Sequence, residues 1–331
     1  MEIEKGKIDG VEIKKAIVEA IAFFDLFSYP LTSFEVWRYL GLKRSLNEVL
    51  EILDQMLGQS EEDSSLLNLK RKNGFYFLAG REETIRIRME RYNFSEKKFR
   101  RALLVAKIFK FIPWIKMIAL GNIIGAHNLR EESDIDLFIV CEKGRMWLTR
   151  FFAILIIKIL GLRPKLGETR DKICLSFFVD EEALGLEALM IKRANTASPQ
   201  THAASDIYFI YWLAGLTPIY DQGGIYRKFI EANVWLGHHL PNWQADYLNY
   251  RRDASKSFSR FYRDVVDMFL GGLEKRSRKW QLRKMPAVMK DILNRDERVV
   301  VGEKVIKLHL NDRRKEYLEK LSLKLNPINL K

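Results

Sequence analysis

The stretches IKMIALGN, residues 115–122, and SDIDLFIV, residues 133–140, decide how this chain is read. The first is a β-like, mostly apolar run that ends on Gly121 and Asn122; the second opens with Ser133, Asp134 and Asp136 and stays apolar to Val140. Side chains two apart on a strand share a face, so the two aspartates are expected to stand side by side. Such a pair suits magnesium, which takes oxygen ligands and usually binds through one or two carboxylates plus substrate phosphates. Glycine at 121 lets the backbone approach a triphosphate, because no side chain intervenes.

Outward from this pair, helical spacing is expected over 146–160 and a third strand over 173–179. Strands alternating with helices indicate an α/β sheet. Residues 146–162 are the one stretch resembling a membrane span, but Arg150 and Lys158 interrupt it and it barely reaches the roughly 20 residues a span needs. It is read as a helix buried against the sheet, with no membrane span expected.

Gly121-Asn122 followed about a dozen residues later by Asp134-Ile135-Asp136 on a strand resembles the signature of the DNA polymerase beta-type nucleotidyltransferases, a Gly-Ser or Gly-Gly pair and then Asp-x-Asp. The resemblance covers about residues 98–182. It implies a small mixed-sheet core that transfers a nucleoside monophosphate from an NTP such as ATP to an acceptor hydroxyl, using magnesium or manganese and releasing pyrophosphate. Carried over by position, Gly121, Asn122 and Ser133 would hold the nucleotide phosphates, and Asp134 and Asp136 the metal.

Two departures stand out. Asn122 replaces the usual Ser or Gly, although its amide also donates to a phosphate oxygen. Members of the superfamily usually supply a third carboxylate from a later strand, whereas the centre of that strand here is Leu175-Ser176-Phe177. Either Asp180 at its end acts as the third catalytic carboxylate or that group is missing, and then general-base activation of the acceptor weakens.

Upstream, residues 11–27 have helical apolar spacing, Thr32 or Ser33 caps a second helix, and Ser45 caps a third with Val49, Leu53 and Leu57 inward. Two β-like runs, 66–69 and 75–78, flank Asn73-Gly74, a strong hairpin signal. That order is a winged helix-turn-helix. The outward face of its third helix, with Glu48, Glu51 and Asp54, repels phosphates and favours partner docking over DNA reading. A basic, helical connector follows over 82–110, its charges read as a solvated face.

Beyond 183 the sequence reads as mostly helical and aromatic. Domains are expected at 1–95 (winged helix and connector), 96–192 (nucleotidyltransferase core) and 193–331 (helical). Basic residues crowd 251–290 and offer a surface to a nucleic acid or protein partner. Near the end, His309, Asn311, Asp312, Arg313 and Arg314 pack proton-transfer and phosphate-clamping groups together, with helix capping by Asn311 or Asp312 as the simpler account. The whole order is similar to a set of uncharacterised bacterial and archaeal proteins described only as predicted nucleotidyltransferases.

The composition, 47% apolar and 30% charged, excludes a disordered or fibrous chain, and a net charge of +13 favours an anionic partner. Cys141 and Cys174, both in apolar β-like runs, are read as buried reduced thiols of a cytoplasmic protein, and the N-terminus lacks a signal-peptide core. The expected function is a metal-dependent nucleotidyltransferase acting on an unidentified acceptor, a small molecule, a protein or an RNA end. The alternative is a nucleic-acid-binding regulatory or partner-docking protein with an inactive core.

Overall fold

The computed structural model describes residues 2–58, 68–121, 128–165, 167–191, 206–245 and 260–329. The chain opens with α1 (Glu2–Asp25), β1 (Leu31–Thr32), α2 (Ser33–Arg38), α3 (Leu46–Leu57) and a hairpin of β2 (Leu69–Lys72) and β3 (Phe75–Leu78). The two short helices begin on capping boxes, Thr32 with Glu35 and Ser45 with Glu48, which satisfy amides that the first helical turn leaves open. On α3, Val49, Leu53 and Met56 turn inward and Glu48, Glu51 and Asp54 outward, as the spacing requires.

The first hairpin strand lies later than the sequence suggests. Asn73 and Gly74 both take positive φ and form a two-residue loop, which pins Lys72 opposite Phe75 and Leu69 opposite Leu78. The order β1-β3-β2 completes a small antiparallel sheet.

Helix α4 (Glu83–Phe109) leads to the central sheet, and several of its cations are structural rather than solvated. Arg88 pairs with Glu35 at 2.8 Å and lies 4.0 Å over the Tyr29 ring. Lys98, only 2% exposed, meets Asp171 at 3.0 Å and donates to the Ser133 carbonyl.

The rest of the chain runs β4 (Ile115–Leu120), β5 (Ile135–Cys141), α5 (Met146–Ile159), β6 (Ile173–Asp180), α6 (Ile207–Ala214), β7 (Thr217–Asp221), α7 (Ile225–Ala232), α8 (Leu236–His239), α9 (Arg260–Leu270), α10 (Glu274–Arg283), α11 (Ala287–Asp291), β8 (Val299–Val301), β9 (Val305–Leu308) and α12 (Arg314–Asn329). Six strands make one mixed sheet in the order β7-β4-β5-β6-β9-β8. The β5–β6 pair is parallel, joined through α5, and the other neighbours are antiparallel. The region read as helical therefore supplies β7, β8 and β9. Its strands are short, and Gly302 closes the β8–β9 turn by donating to the Val305 carbonyl.

The pleat splits the sheet into two faces. Phe138, Val140, Phe177 and Val179 join a core with α1, α3, α6, α7 and α12, while Ile135, Leu137, Ile139 and Leu308 join a second core with α4 and α5. The first core is continuous with the N-terminal unit: Phe23 and Phe24 pack on Tyr211, whose hydroxyl donates to the Tyr39 carbonyl. Helix α5 buries only one face, since Leu155 is 40% exposed and Ile159 75%. No helix among the described residues is long and apolar enough to cross a membrane.

Candidate metal centre

Asp134 ends the loop before β5 and Asp136 is the second residue of that strand. The parallel register sets Cys174 directly across from Asp136, and one ligand atom each from Asp134, Asp136 and Cys174 lies within 4.8 Å of the others. Burial raises the proton affinity of both carboxylates, and with Asp134 beside it Asp136 is pushed up to about 7. Burial and the same two carboxylates push the Cys174 thiol well up. Lys98 braces the loop through Ser133 and lends the nearest opposing charge to Asp134.

Between Asp136 and Phe138 the register slips, and β6 carries one extra residue. Such a bulge re-aims side chains. Phe177 faces the cleft and Ser176 Oγ meets His309 Nε2 at 2.8 Å. A cavity of about 180 Å³ opens here, lined by Gly121, Asp136, Lys307, His309, Asn311 and Arg313. Tyr208, Trp212 and Tyr317 add aromatic lining, Tyr208 stacking on Tyr317 at 5.4 Å.

The β9–α12 junction concentrates positive charge around one acid. Asp312 receives Lys307 at 2.6 Å and Arg314 at 2.9 Å, and Arg314 also meets the fully buried Asp206 at 2.7 Å. Arg314 Nη2 has no hydrogen-bond partner among the described residues. Arg313 stays exposed, paired with Glu316 and lying over Tyr317. Burial, with Lys307 nearby, pushes His309 down to about 4, so its imidazole is neutral at neutral pH.

Of the residues singled out from the sequence, Asp134, Asp136 and Gly121 come together. Gly121 has a packing reason of its own: a Cβ there would sit 3.2 Å from Trp212, whose ring stacks on Phe177 and Phe209. Asn122 lies outside the described residues. Ser133 turns away, its hydroxyl donating to the Arg130 carbonyl at 2.9 Å.

Asp180 does not join the aspartates. It is opposite Cys141, at the far end of β5 from Asp136 and roughly 17 Å along the strand at the usual rise per residue. There its carboxylate accepts from the amides of Gly144 and Glu182 and holds two turns. Across from Asp136 on β6 stands Cys174 rather than a carboxylate, and Ser176, two residues on, meets His309, none of which the motif indicates. At the start of α12 Asp312 accepts from the Arg314 amide at 3.2 Å, and its neighbours His309, Asn311 and Arg313 line the cleft. Comparison with known families, curated proteins and solved structures finds no match for this chain.

Proposed function

We propose that the protein is a divalent-metal-dependent nucleotidyltransferase whose nucleotide enters the cleft between β5 and the β9–α12 junction. One observation carries the reading: Asp134, Asp136 and Cys174 converge, and Asp136 opens into a cleft that Lys307 and Arg313 also line. The donor set fits a cation, since two half-buried carboxylates with raised proton affinity are under-compensated by the protein itself. A divalent cation held there would neutralise charge on the phosphoryl group in transfer.

The chain's own groups do the rest. Arg313 and Asn311 at the rim hold phosphate oxygens, and the stacked Tyr208–Tyr317 pair offers a face to the base. Neutral His309, hydrogen-bonded to Ser176, lines the cleft as an uncharged imidazole that can hydrogen-bond an acceptor hydroxyl. The N-terminal unit is read as a winged helix that docks a partner, because the exposed face of α3 carries carboxylates. Sulfur in place of the third carboxylate favours a second reading, a nucleotide-binding regulator without turnover.

Incubating the pure protein with labelled NTPs, magnesium or manganese and a cell extract tests the first reading. Label should enter one fraction and vanish in Asp134→Asn and Asp136→Asn. Unchanged labelling in both variants would overturn the reading, and nucleotide binding without labelling would select the regulator.

A further inference from the structure

On the other face of the sheet a larger cavity, about 400 Å³, lies between α5 and α10. Its walls are apolar, from Trp147, Phe151, Ile154, Trp280, Met285 and Met289, and its volume is that of a small-molecule site. Arg150, Lys158, Arg163 and Lys284 also line it, and among the described residues no carboxylate does.

The two helices are clasped so that this space persists. Glu274 of α10 accepts from the amides of Trp147 and Leu148 at the start of α5, and Gln281 Nε2 donates to the Trp147 carbonyl at 2.7 Å. The other end of the Gln281 amide receives Arg150 Nη1 at 2.6 Å. Arg150 Nε is withdrawn from solvent and has no hydrogen-bond partner among the described residues. A buried guanidinium normally faces a carboxylate, since desolvating it unpaired is costly. Here burial and the neighbouring Arg163 instead lower Arg150 to about 10.

An apolar slot with cations and no acid calls for an anion that carries a hydrocarbon body. We propose that the α5–α10 groove binds a single-chain amphipathic anion, its tail along Trp147, Met285 and Met289 beside the touching Phe151–Trp280 pair and its carboxylate or phosphate head on Arg150, Arg163 and Lys284. The half-exposed Trp280 and the exposed Leu155 beside the groove then become covered surface rather than a liability. This site is separate from the metal centre, which lies across the sheet.

Trp147 and Trp280 line the groove, so the part of the tryptophan fluorescence change that Trp280→Phe removes reports occupancy against the five other tryptophans. Titration of the full chain with dodecanoate, dodecyl phosphate, dodecanol and inorganic phosphate should give saturable binding of the two amphipathic anions and binding at least about tenfold weaker for the alcohol and for phosphate alone. Arg150→Gln should weaken dodecanoate by about tenfold or more. Because that variant removes a buried group, Arg163→Gln and Lys284→Gln, both at exposed positions, provide the second test and should each weaken it several-fold without changing the melting temperature. Equal affinity for dodecanol, or dodecanoate binding that is unchanged in Arg163→Gln and Lys284→Gln, would overturn the proposal. Sedimentation with phosphatidylglycerol vesicles, competed by dodecanoate, would assign the anion to a lipid surface; binding of free dodecanoate without sedimentation would assign it to a soluble acid.

Discussion

At the residue scale, Asp136 and His309 make opposite demands on pH. The Asp136 carboxyl binds its proton more tightly in the folded chain, at about 7 against an ordinary 3.8, so between those values the folded state holds the extra proton and stability falls as pH rises. His309 is lowered from 6.5 to about 4, so over that interval the unfolded state holds the extra proton and stability rises with pH. In metal-free buffer the two slopes oppose each other. Melting temperatures from about pH 5 to 6.5 should therefore climb more steeply with pH in Asp136→Asn and turn downward in His309→Gln, each slope bounded by about 1.4 kcal/mol per pH unit. Parallel curves for all three proteins would mean that neither group titrates as its surroundings dictate. Cys174 supports a second expectation: thiolate favours softer cations than magnesium, so Cys174→Asp should lower the magnesium concentration needed for labelling and erase any advantage of manganese. Asp134 and Asp136 were legible because their relation is local, two steps along one strand. Cys174 was not, since nothing nearby in the sequence says which residue of β6 lies beside Asp136. The misplacement of Asp180 has the same origin: in a parallel pair the start of one strand lies beside the start of the next, so the acid at the end of β6 is carried away from the aspartates.

At the element scale, the cleft depends on two fits. Gly121 at the end of β4 lies against Trp212 of α6, and that ring is held by Phe177 and Phe209, so it has little freedom to retreat. Gly121→Ala should cost about 1–3 kcal/mol in denaturant unfolding, the usual range for overpacking; no loss would show that α6 can shift. The first turn of α12 is fixed by Arg314 between Asp206 and Asp312. Arg314→Leu leaves buried Asp206 without its cation while Asp312 keeps Lys307, and should cost about 3–5 kcal/mol, with part recovered when Asp206→Asn is added. A double variant as unstable as the sum of its parts would refute this coupling. Helices with capping boxes and the Asn73-Gly74 turn were readable because their signals span a few residues. Strands β7, β8 and β9 hid among aromatic and basic helices, their runs being too short to declare a period.

At the scale of the whole molecule, the N-terminal unit and the central sheet share one apolar core: Phe23, Phe24, Tyr39 and Tyr211 pack together, and Lys324 of α12 pairs with the buried Asp25. Heating should therefore give one cooperative transition, with calorimetric and van't Hoff enthalpies that agree, and a fragment ending near residue 81 should not hold a fold of its own. Two resolved transitions would show the halves to be independent. The division of labour across the sheet rests on β9, where Lys307 turns to the metal cleft and Leu308 to the α5–α10 groove. The two chambers thus share a party wall one peptide thick. A guest that presses on Leu308 must tilt the backbone from which Lys307 and His309 hang, and thermodynamic reciprocity then requires each tenant to alter the other's lease by the same factor, a ratio that paired titrations of manganese and dodecanoate would read directly.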